Sequence, residues 1–508
     1  MRSETYLCAA VSGLTAACGL ALEIVAGRML APHVGMSLHT WTAVIAVMLA
    51  GFSIGHWIGG FIADYSPPRA ERALVWILSL ASCATLLSLV LLQTLPDRLS
   101  DLDWHPVATI VLLAMALFFL PSLLVAAPSP ILMKLAIDGE PATPGRIIGL
   151  LYAASAVGSI IGTLAAGYVL ISYLGIVRTI FTLAFVQIAL ASMFFARQRR
   201  HIRRGTTFLF VVPLMVTGAY ASFGQKLPVL HSACLKETPY HCIRVIDISE
   251  SVGVEARSIF LDRLAHGSNV RMEPGVFLLP YLALMDRLAK IHVGLNSNSS
   301  VFIAGGGAYT LPRAWLTGNP SMRLTVAEID PAVTSTAQEY LWADNLDRAD
   351  IRHGDARAIL RQERRFTYDI IVGDAFQDIA VPQHLVTQEF FAFVRTRLAS
   401  DGIALMNFID RSELPRLVLS VQRTLKTVFP VVEIWIDEDQ MSAGSHANFV
   451  LLAAQRPTPF AQIDDTDVPG WTWRRWTDGD IAAIDNGRAT VNLTDDHAPV
   501  DRLLSQRR

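Results

Sequence analysis

VFIAGGGAYTLPRAWLTGNPSMRLTVAEID, residues 301–330, is the stretch whose reading decides the fold. The apolar run Val301-Phe302-Ile303-Ala304 reads as a short buried strand ending in Gly305-Gly306-Gly307. A helix-compatible segment follows, and a second strand, Leu324 to Ala327, closes on Glu328. This is a βαβ unit with glycines at the first strand-to-helix turn and an acid roughly 20 residues on. The glycines let backbone approach a ligand closely, and the carboxylate can accept hydrogen bonds from a ribose diol. The pattern points to a nucleoside-type pocket. The plainer alternative is a βαβ unit whose glycines only make the turn.

Outward from that unit, the chain divides by composition. It has 508 residues, enough for two or more domains. It is 52% hydrophobic and 17% charged, with a mean hydropathy of +0.40, too apolar for an ordinary soluble enzyme. The excess lies almost wholly before residue 226, so a membrane half precedes a soluble half. A formal net charge of −2 argues against nucleic acid as partner, since neutralising phosphates needs a basic face. Five cysteines are too few for a disulfide scaffold.

Apolar runs of about 20 residues, long enough to span a bilayer, lie near 5–27, 40–63, 73–95, 107–136, 147–172, 174–196 and 207–224. The expectation is an all-α transmembrane bundle of about seven spans. The first run is too long, and too free of a cleavage-site pattern, for a removed signal peptide. Pro121, Pro128 and Pro130 predict a kinked or broken fourth helix. Gly51, Gly55 and Gly59, and then Gly158 and Gly162, recur at helical spacing, which favours close helix packing over a transport role. Glu23 and His56 are the ionisable residues that stand out inside spans; Glu23 lies near a helix end, within reach of Arg28 or water. Gly59 to Asp64 with Arg69 and Arg72 resembles the loop after the second helix of major-facilitator transporters, over those residues alone.

Orientation follows the arginines. The segment 197–204 (RQRRHIRR) carries five of them and belongs on the cytoplasmic side, with Arg69, Arg72, Lys134 and Arg146. The acidic loop Asp97 to Asp103 falls opposite. One further span, 207–224, then places the soluble half in the periplasm. Cys234 and Cys242, eight apart, fit a disulfide in an oxidising compartment, or are two free thiols.

The soluble half alternates strands and helices. Tyr240 to Ile248 and Ala256 to Leu261 read as a strand pair in a small β-region. After the βαβ unit come Ile351-Arg352 leading to Gly354-Asp355, the strand Tyr368 to Val372 ending at Gly373-Asp374, a helix over Thr387 to Leu398 and a strand over Ile403 to Phe408. Val431 to Ile436 and Asn448 to Ala453 suit a terminal antiparallel pair. Such alternation predicts a doubly wound, Rossmann-like α/β sheet, whose ligands sit at the carboxyl ends of the strands. Gly305, Glu328, Asp355 and Asp374 all fall at such ends. The expected division is a helical membrane domain over 1–226, a small β-region with a linking helix over 227–290, the Rossmann-like domain over 291–455, and a C-terminal extension over 456–508 packing on it.

With these pieces in hand, the soluble half resembles the spermidine synthases, polyamine aminopropyltransferases related in fold to class I methyltransferases. The whole chain resembles the bacterial membrane-fused spermidine-synthase-like proteins. The matching pieces are Glu23 to Trp41 (EIVAGRMLAPHVGMSLHTW), Leu261-Asp262 with His266-Gly267, the glycine turn with Glu328-Ile329-Asp330, Gly354-Asp355, Tyr368 to Asp374, and Leu493 to Leu503 (LTDDHAPVDRL). The resemblance implies that Gly305, Gly306, Gly307, Glu328 and Asp355 bind decarboxylated S-adenosylmethionine or S-adenosylmethionine as co-substrate, with Glu328 on the ribose and Asp355 by the adenine. It further implies that Asp374 is the catalytic aspartate, that His266 and Asp378 face an amine or polyamine acceptor, and that no metal takes part. A lipid bilayer is the expected surrounding, in a bacterial inner membrane; homo-oligomerisation is left open.

The sequence also departs from the family. The glycine motif runs on as Gly307-Ala308-Tyr309-Thr310, where the family has an aspartate that holds the co-substrate's amino group. Asp378 falls one residue later than the family's second aspartate, and His266 stands where soluble synthases carry glutamine. Asp495, Asp496 and His497 either add acids to the pocket or cap and turn the chain. The expected function is a membrane-bound aminopropyl or alkyl transfer to an amine. The alternatives are a non-catalytic polyamine- or nucleoside-binding membrane protein and a small-molecule methyltransferase.

Overall fold

The structure is a computed structural model describing residues 3–100, 106–197, 232, 234–296, 298–376, 381–441, 446–465, 470–484 and 490–505. It falls into two compact units, Met1–Cys242 and Ile243–Arg508.

The first unit is helical: α1 (Ser3–Val34), α2 (Leu38–Ala63), α3 (Pro67–Leu92), the short α4 (Leu95–Ser100), α5 (Pro106–Ala126), α6 (Pro128–Gly139), α7 (Pro144–Ala165) and α8 (Gly175–Arg197), with a π-helical stretch, Ala166–Leu174, joining the last two. Five helical runs among the described residues are long and apolar enough to cross a membrane. The fifth, Pro144–Arg197, covers two expected spans in 54 residues; it breaks at Gly175, whose φ of +77° lies in the left-handed region. The fourth breaks as its prolines predict, α6 starting at Pro128, because proline has no N–H to continue the ladder. The expected span 207–224 lies outside the described residues, as do residues 198–204 of the arginine-rich segment.

Apolar side chains fill both the inside and the outside of this unit. Leu22, Met29, Met48 and Phe118 are fully buried, while Trp57, Phe61, Ile160 and Tyr168 are exposed. A helix set apolar on its outside as well as its inside suggests association with a membrane. The glycines are packing positions. A Cβ on Gly55 would lie 2.2 Å from the Leu123 carbonyl oxygen, and one on Gly158 would lie 2.0 Å from that of Gly13. These distances bring α2 against α5 and α1 against α7, the small-residue approach used where lipid supplies no hydrophobic drive.

The same unit ends in a pinned loop. Cys234 and Cys242 form a disulfide. Arg28, near the end of α1, donates from Nη1 to the Tyr240 carbonyl at 2.6 Å and from Nη2 to that of Thr238 at 3.0 Å. The Glu237 carboxylate, in the two-residue strand β1 (Lys236–Glu237), accepts the N–H of Ile176 at the start of α8.

The second unit opens with an antiparallel meander of β2 (Cys242–Asp247), β3 (Ala256–Leu261) and β4 (Leu264–Val270). Its main sheet holds β5 (Ser300–Ala304), β6 (Arg323–Glu328), β7 (Asp350–His353), β8 (Tyr368–Gly373), β9 (Leu398–Arg411), β10 (Val431–Asp437), β11 (His446–Ala454), β12 (Gln462–Asp464) and β13 (Thr472–Arg475), in the spatial order β12-β13-β10-β11-β9-β8-β5-β6-β7. β5 lies between β6 and β8, all parallel; β10 and β11 pair antiparallel as expected. Successive β5 residues feed opposite cores, Val301 and Ile303 on one face and Phe302 and Ala304 on the other. A strand buried on both faces is continuously apolar for this reason. Leu264–Val270 was not expected as a strand, and the extension past residue 455 adds β12 and β13 to the sheet edge.

Candidate functional site

Parallel strands release their chains at one edge, and the residues just past β5, β6 and β8 meet there. Gly305 N–H donates to the Ala327 carbonyl, Asp374 N–H to that of Ala304 and Gly354 N–H to that of Glu328, each at 2.9 Å. The glycine turn, Glu328 and Asp374 therefore share one rim. Gly305 has φ +96°, and a Cβ there would stand 2.4 Å from the Asp374 carbonyl oxygen. Gly307 has φ +53°, with the His266 carbonyl oxygen 2.2 Å from its would-be Cβ. Both positions exclude a side chain for conformational and steric reasons together.

Glu328 is buried and bridges the turn. Its Oε2 accepts from Gly306 N–H at 2.7 Å, and its Oε1 accepts from Asp330 N–H at 2.8 Å. Tyr309, left-handed at φ +55°, is wholly buried beneath Gly306, its hydroxyl 2.6 Å from Thr334 Oγ1. The loop thus replaces the expected acid with Ala308 and an aromatic ring.

Asp374 is held from two sides. Asn407 Nδ2 donates to Oδ1 at 3.0 Å, and Tyr281 OH donates to Oδ2 at 3.3 Å. Asn407 is in turn fixed by Asn448, whose Nδ2 donates to its Oδ1 at 3.0 Å. Burial raises the Asp374 carboxyl to about 6, against the lowering effect of the Asn407 and Tyr281 hydrogen bonds. The Tyr281 hydroxyl is pushed well above the ordinary phenol range by burial and by the facing Asp374 charge. Such a carboxyl takes a proton more readily than an exposed one, as a general base near neutrality requires.

His266 stands against the glycine turn: its carbonyl accepts the Ala308 N–H at 3.1 Å, and its ring meets Phe376 edge-on with centroids 6.3 Å apart. Asp355 caps the helix Ala356–Gln362 through Ala358 N–H at 2.8 Å, with His384 Nε2 2.6 Å from its other oxygen. Between the sheet and the helix Gln388–Arg397 lies a small apolar cavity of about 30 Å³, lined by Ala304, Gly373, Ala375, Leu385, Phe390 and Met406 among others. It has room for about one water-sized group rather than for a nucleoside. Asp378 lies outside the described residues. Asp495 does not join the rim acids: it pairs with Arg357 at 2.7 Å, which answers to a cap rather than a pocket carboxylate.

Sequence reasoning missed Tyr281, Asn407, Phe376 and His384. Asn407 carried a signal, being the polar residue within the apolar run Ile403 to Phe408. Tyr281, in an amphipathic helix, carried none.

The Spermine/spermidine synthase domain matches residues 288–437. A polyamine aminopropyltransferase of Moorella thermoacetica is 32% identical over 213 residues, covering 40% of this chain and 68% of the relative. Polyamine aminopropyltransferase 2 of Streptomyces coelicolor is 25% identical over 434 residues, covering 81% of this chain and 75% of the relative, a length that reaches into the helical unit. Among solved structures, a probable spermidine synthase from Corynebacterium glutamicum aligns with a TM-score of 0.43 and 21% identity, over 50% of this chain and 93% of its own.

Proposed function

The chain belongs to the polyamine aminopropyltransferase family, and from that premise we propose that it transfers an aminopropyl group from a sulfonium nucleoside, decarboxylated S-adenosylmethionine, to an amine. The carrying observation is the Asp374 carboxyl, raised to about 6 and held by Tyr281 and Asn407 beside the glycine turn. In the proposed step the neutral amine attacks the carbon next to sulfur. The new C–N bond forms as the C–S bond breaks, its electron pair stays on sulfur as a thioether, and the amine's extra proton passes to Asp374. Glu328 and the turn hold the nucleoside, with Asp355 by the adenine; His266 and Asp378 face the acceptor. The test is transfer by the full chain in detergent, with putrescine and other amines offered. Nucleoside binding without turnover on any amine would favour the non-catalytic alternative; methyl transfer from S-adenosylmethionine would favour the methyltransferase.

The proposal includes the membrane. Seven crossings, with 207–224 as the last, put the soluble unit on the periplasmic face of a bacterial inner membrane. The five apolar runs and the Cys234–Cys242 disulfide support this, since disulfides persist in oxidising compartments. Alkaline phosphatase fused after Arg508 should be active. An inactive phosphatase fusion alongside a bright green fluorescent protein fusion would return the unit to the cytoplasm.

A further inference from the structure

The segment Leu493 to His497 is singled out by its acids, yet no rim role uses it. It folds on itself through reciprocal Thr494 and His497 backbone hydrogen bonds of 3.1 and 3.0 Å. It is seated on two helices: Leu493 N–H donates to Thr424 Oγ1 at 2.9 Å, and the Leu493 carbonyl accepts from Gln388 N–H at 2.8 Å. From that seat Asp495 reaches Arg357, 138 residues earlier, its two oxygens taking Nη1 and Nη2 at 2.7 Å each. Thr387 Oγ1 donates to the same carboxylate at 2.7 Å, and the Asp495 N–H donates to Glu389 Oε2 at 3.0 Å. The Arg357 and Thr387 contacts hold the Asp495 carboxyl down at about 2. Bidentate guanidinium–carboxylate pairs fix geometry as well as charge.

Arg357 passes the constraint on. Its Nη1 also donates to the His384 carbonyl at 3.0 Å, and His384 Nε2 sits 2.6 Å from Asp355 Oδ2. His384 belongs to the turn Gln383–Leu385, and Leu385 lines the small apolar cavity. Arg357 lies two residues from Asp355, on the helix that Asp355 caps. One carboxylate in the C-terminal extension thus meets both walls of the rim that the proposed function gives to the adenine.

We propose that Asp495 is a positioning residue which, through Arg357 and His384, holds Asp355 and the turn Gln383–Leu385 in place to receive the nucleoside. This rests on the proposed function, in which Asp355 borders the adenine. The extension would then tune donor affinity without touching the donor.

The test is calorimetric binding of 5′-methylthioadenosine to the full chain in detergent, with melting temperature read in parallel. Asp495→Ala and Arg357→Ala should each weaken binding roughly 3- to 30-fold, the range of couplings through packed polar networks. The double variant should be no weaker than the worse single one, because both remove the same link. Asp495→Glu should recover part of the affinity. Thr424→Val loosens the seat of the extension without breaking the Arg357 pair, and should lower the melting temperature more than the affinity. Unchanged affinity in Asp495→Ala, additive losses in the double variant, or an equal affinity loss in Thr424→Val would each overturn the positioning role while leaving the nucleoside site standing. A parent protein that binds no methylthioadenosine would overturn the nucleoside site and the positioning role together.

Discussion

Two sets of glycines do different work in the two units. In the helical unit, Gly55 and Gly158 keep ordinary helical backbone and are small because a carbonyl of the next helix lies where their side chain would be. In the α/β unit, Gly305 and Gly307 take positive φ and turn the chain so that backbone, rather than side chain, faces the rim. Both sets let a neighbouring carbonyl come close; the second also turns the chain at a strand end. The surrounding polar groups differ in the same way. Ser82 and Thr85 of α3 bond to α8, at Ala184 O and Gln187 Oε1, tying one helix to the next. Glu328 and Asp374 instead place carboxylates at strand ends, beside the glycine turn. One unit uses its polar groups to join helices, the other gathers carboxylates at one sheet edge.

The sharpest way to break this comparison is to remove the base. Asp374→Asn should lower transfer by about 10²- to 10⁴-fold while leaving 5′-methylthioadenosine affinity within a few-fold. The parent's turnover should also show an acid limb. Asp374 must be deprotonated to accept the amine's proton, so activity falls as pH drops through about 6, and the variant's residual rate should lack that limb. A limb that survives the substitution would assign the titration elsewhere.

Next in size is the packing set. Gly55→Leu forces a side chain into the Leu123 carbonyl and should cost about 3 kcal/mol of the helical unit's stability, read as a lowered melting temperature or a smaller folded fraction after extraction. A substitution tolerated without loss would mean that α2 and α5 do not approach this closely.

Glu328→Ala removes a charged acceptor from the rim and should weaken adenosyl-ligand binding by roughly 1.5–3 kcal/mol. Equal affinity in parent and variant would take the ribose away from Glu328. The smallest expected effect is Gly305→Ala, which imposes a left-handed alanine at about 1–2 kcal/mol, plus displacement of the Asp374 carbonyl. It should lower transfer and nucleoside binding while the melting temperature moves by a few degrees, a pattern unlike that of Gly55→Leu.

Much of this protein follows from residue order alone. Hydropathy divides the chain because runs of about 20 apolar residues are long enough to span a bilayer. The strand-glycine-helix-strand-acid order in residues 301–330 announces the βαβ unit because each piece is local: strand period, turn conformation and the end of the second strand all lie within one short window. The resemblance then extends this to the synthase fold. Tertiary structure alone decides which side chains meet. Tyr281 reaches Asp374 across 93 residues, Asn407 across 33, and Asp495 reaches Arg357 across 138. Those pairs depend on the spatial order of the sheet, with β8 set between β5 and β9, and on where the C-terminal extension is seated. The raised Asp374 carboxyl is likewise a property of burial, which no window of sequence contains.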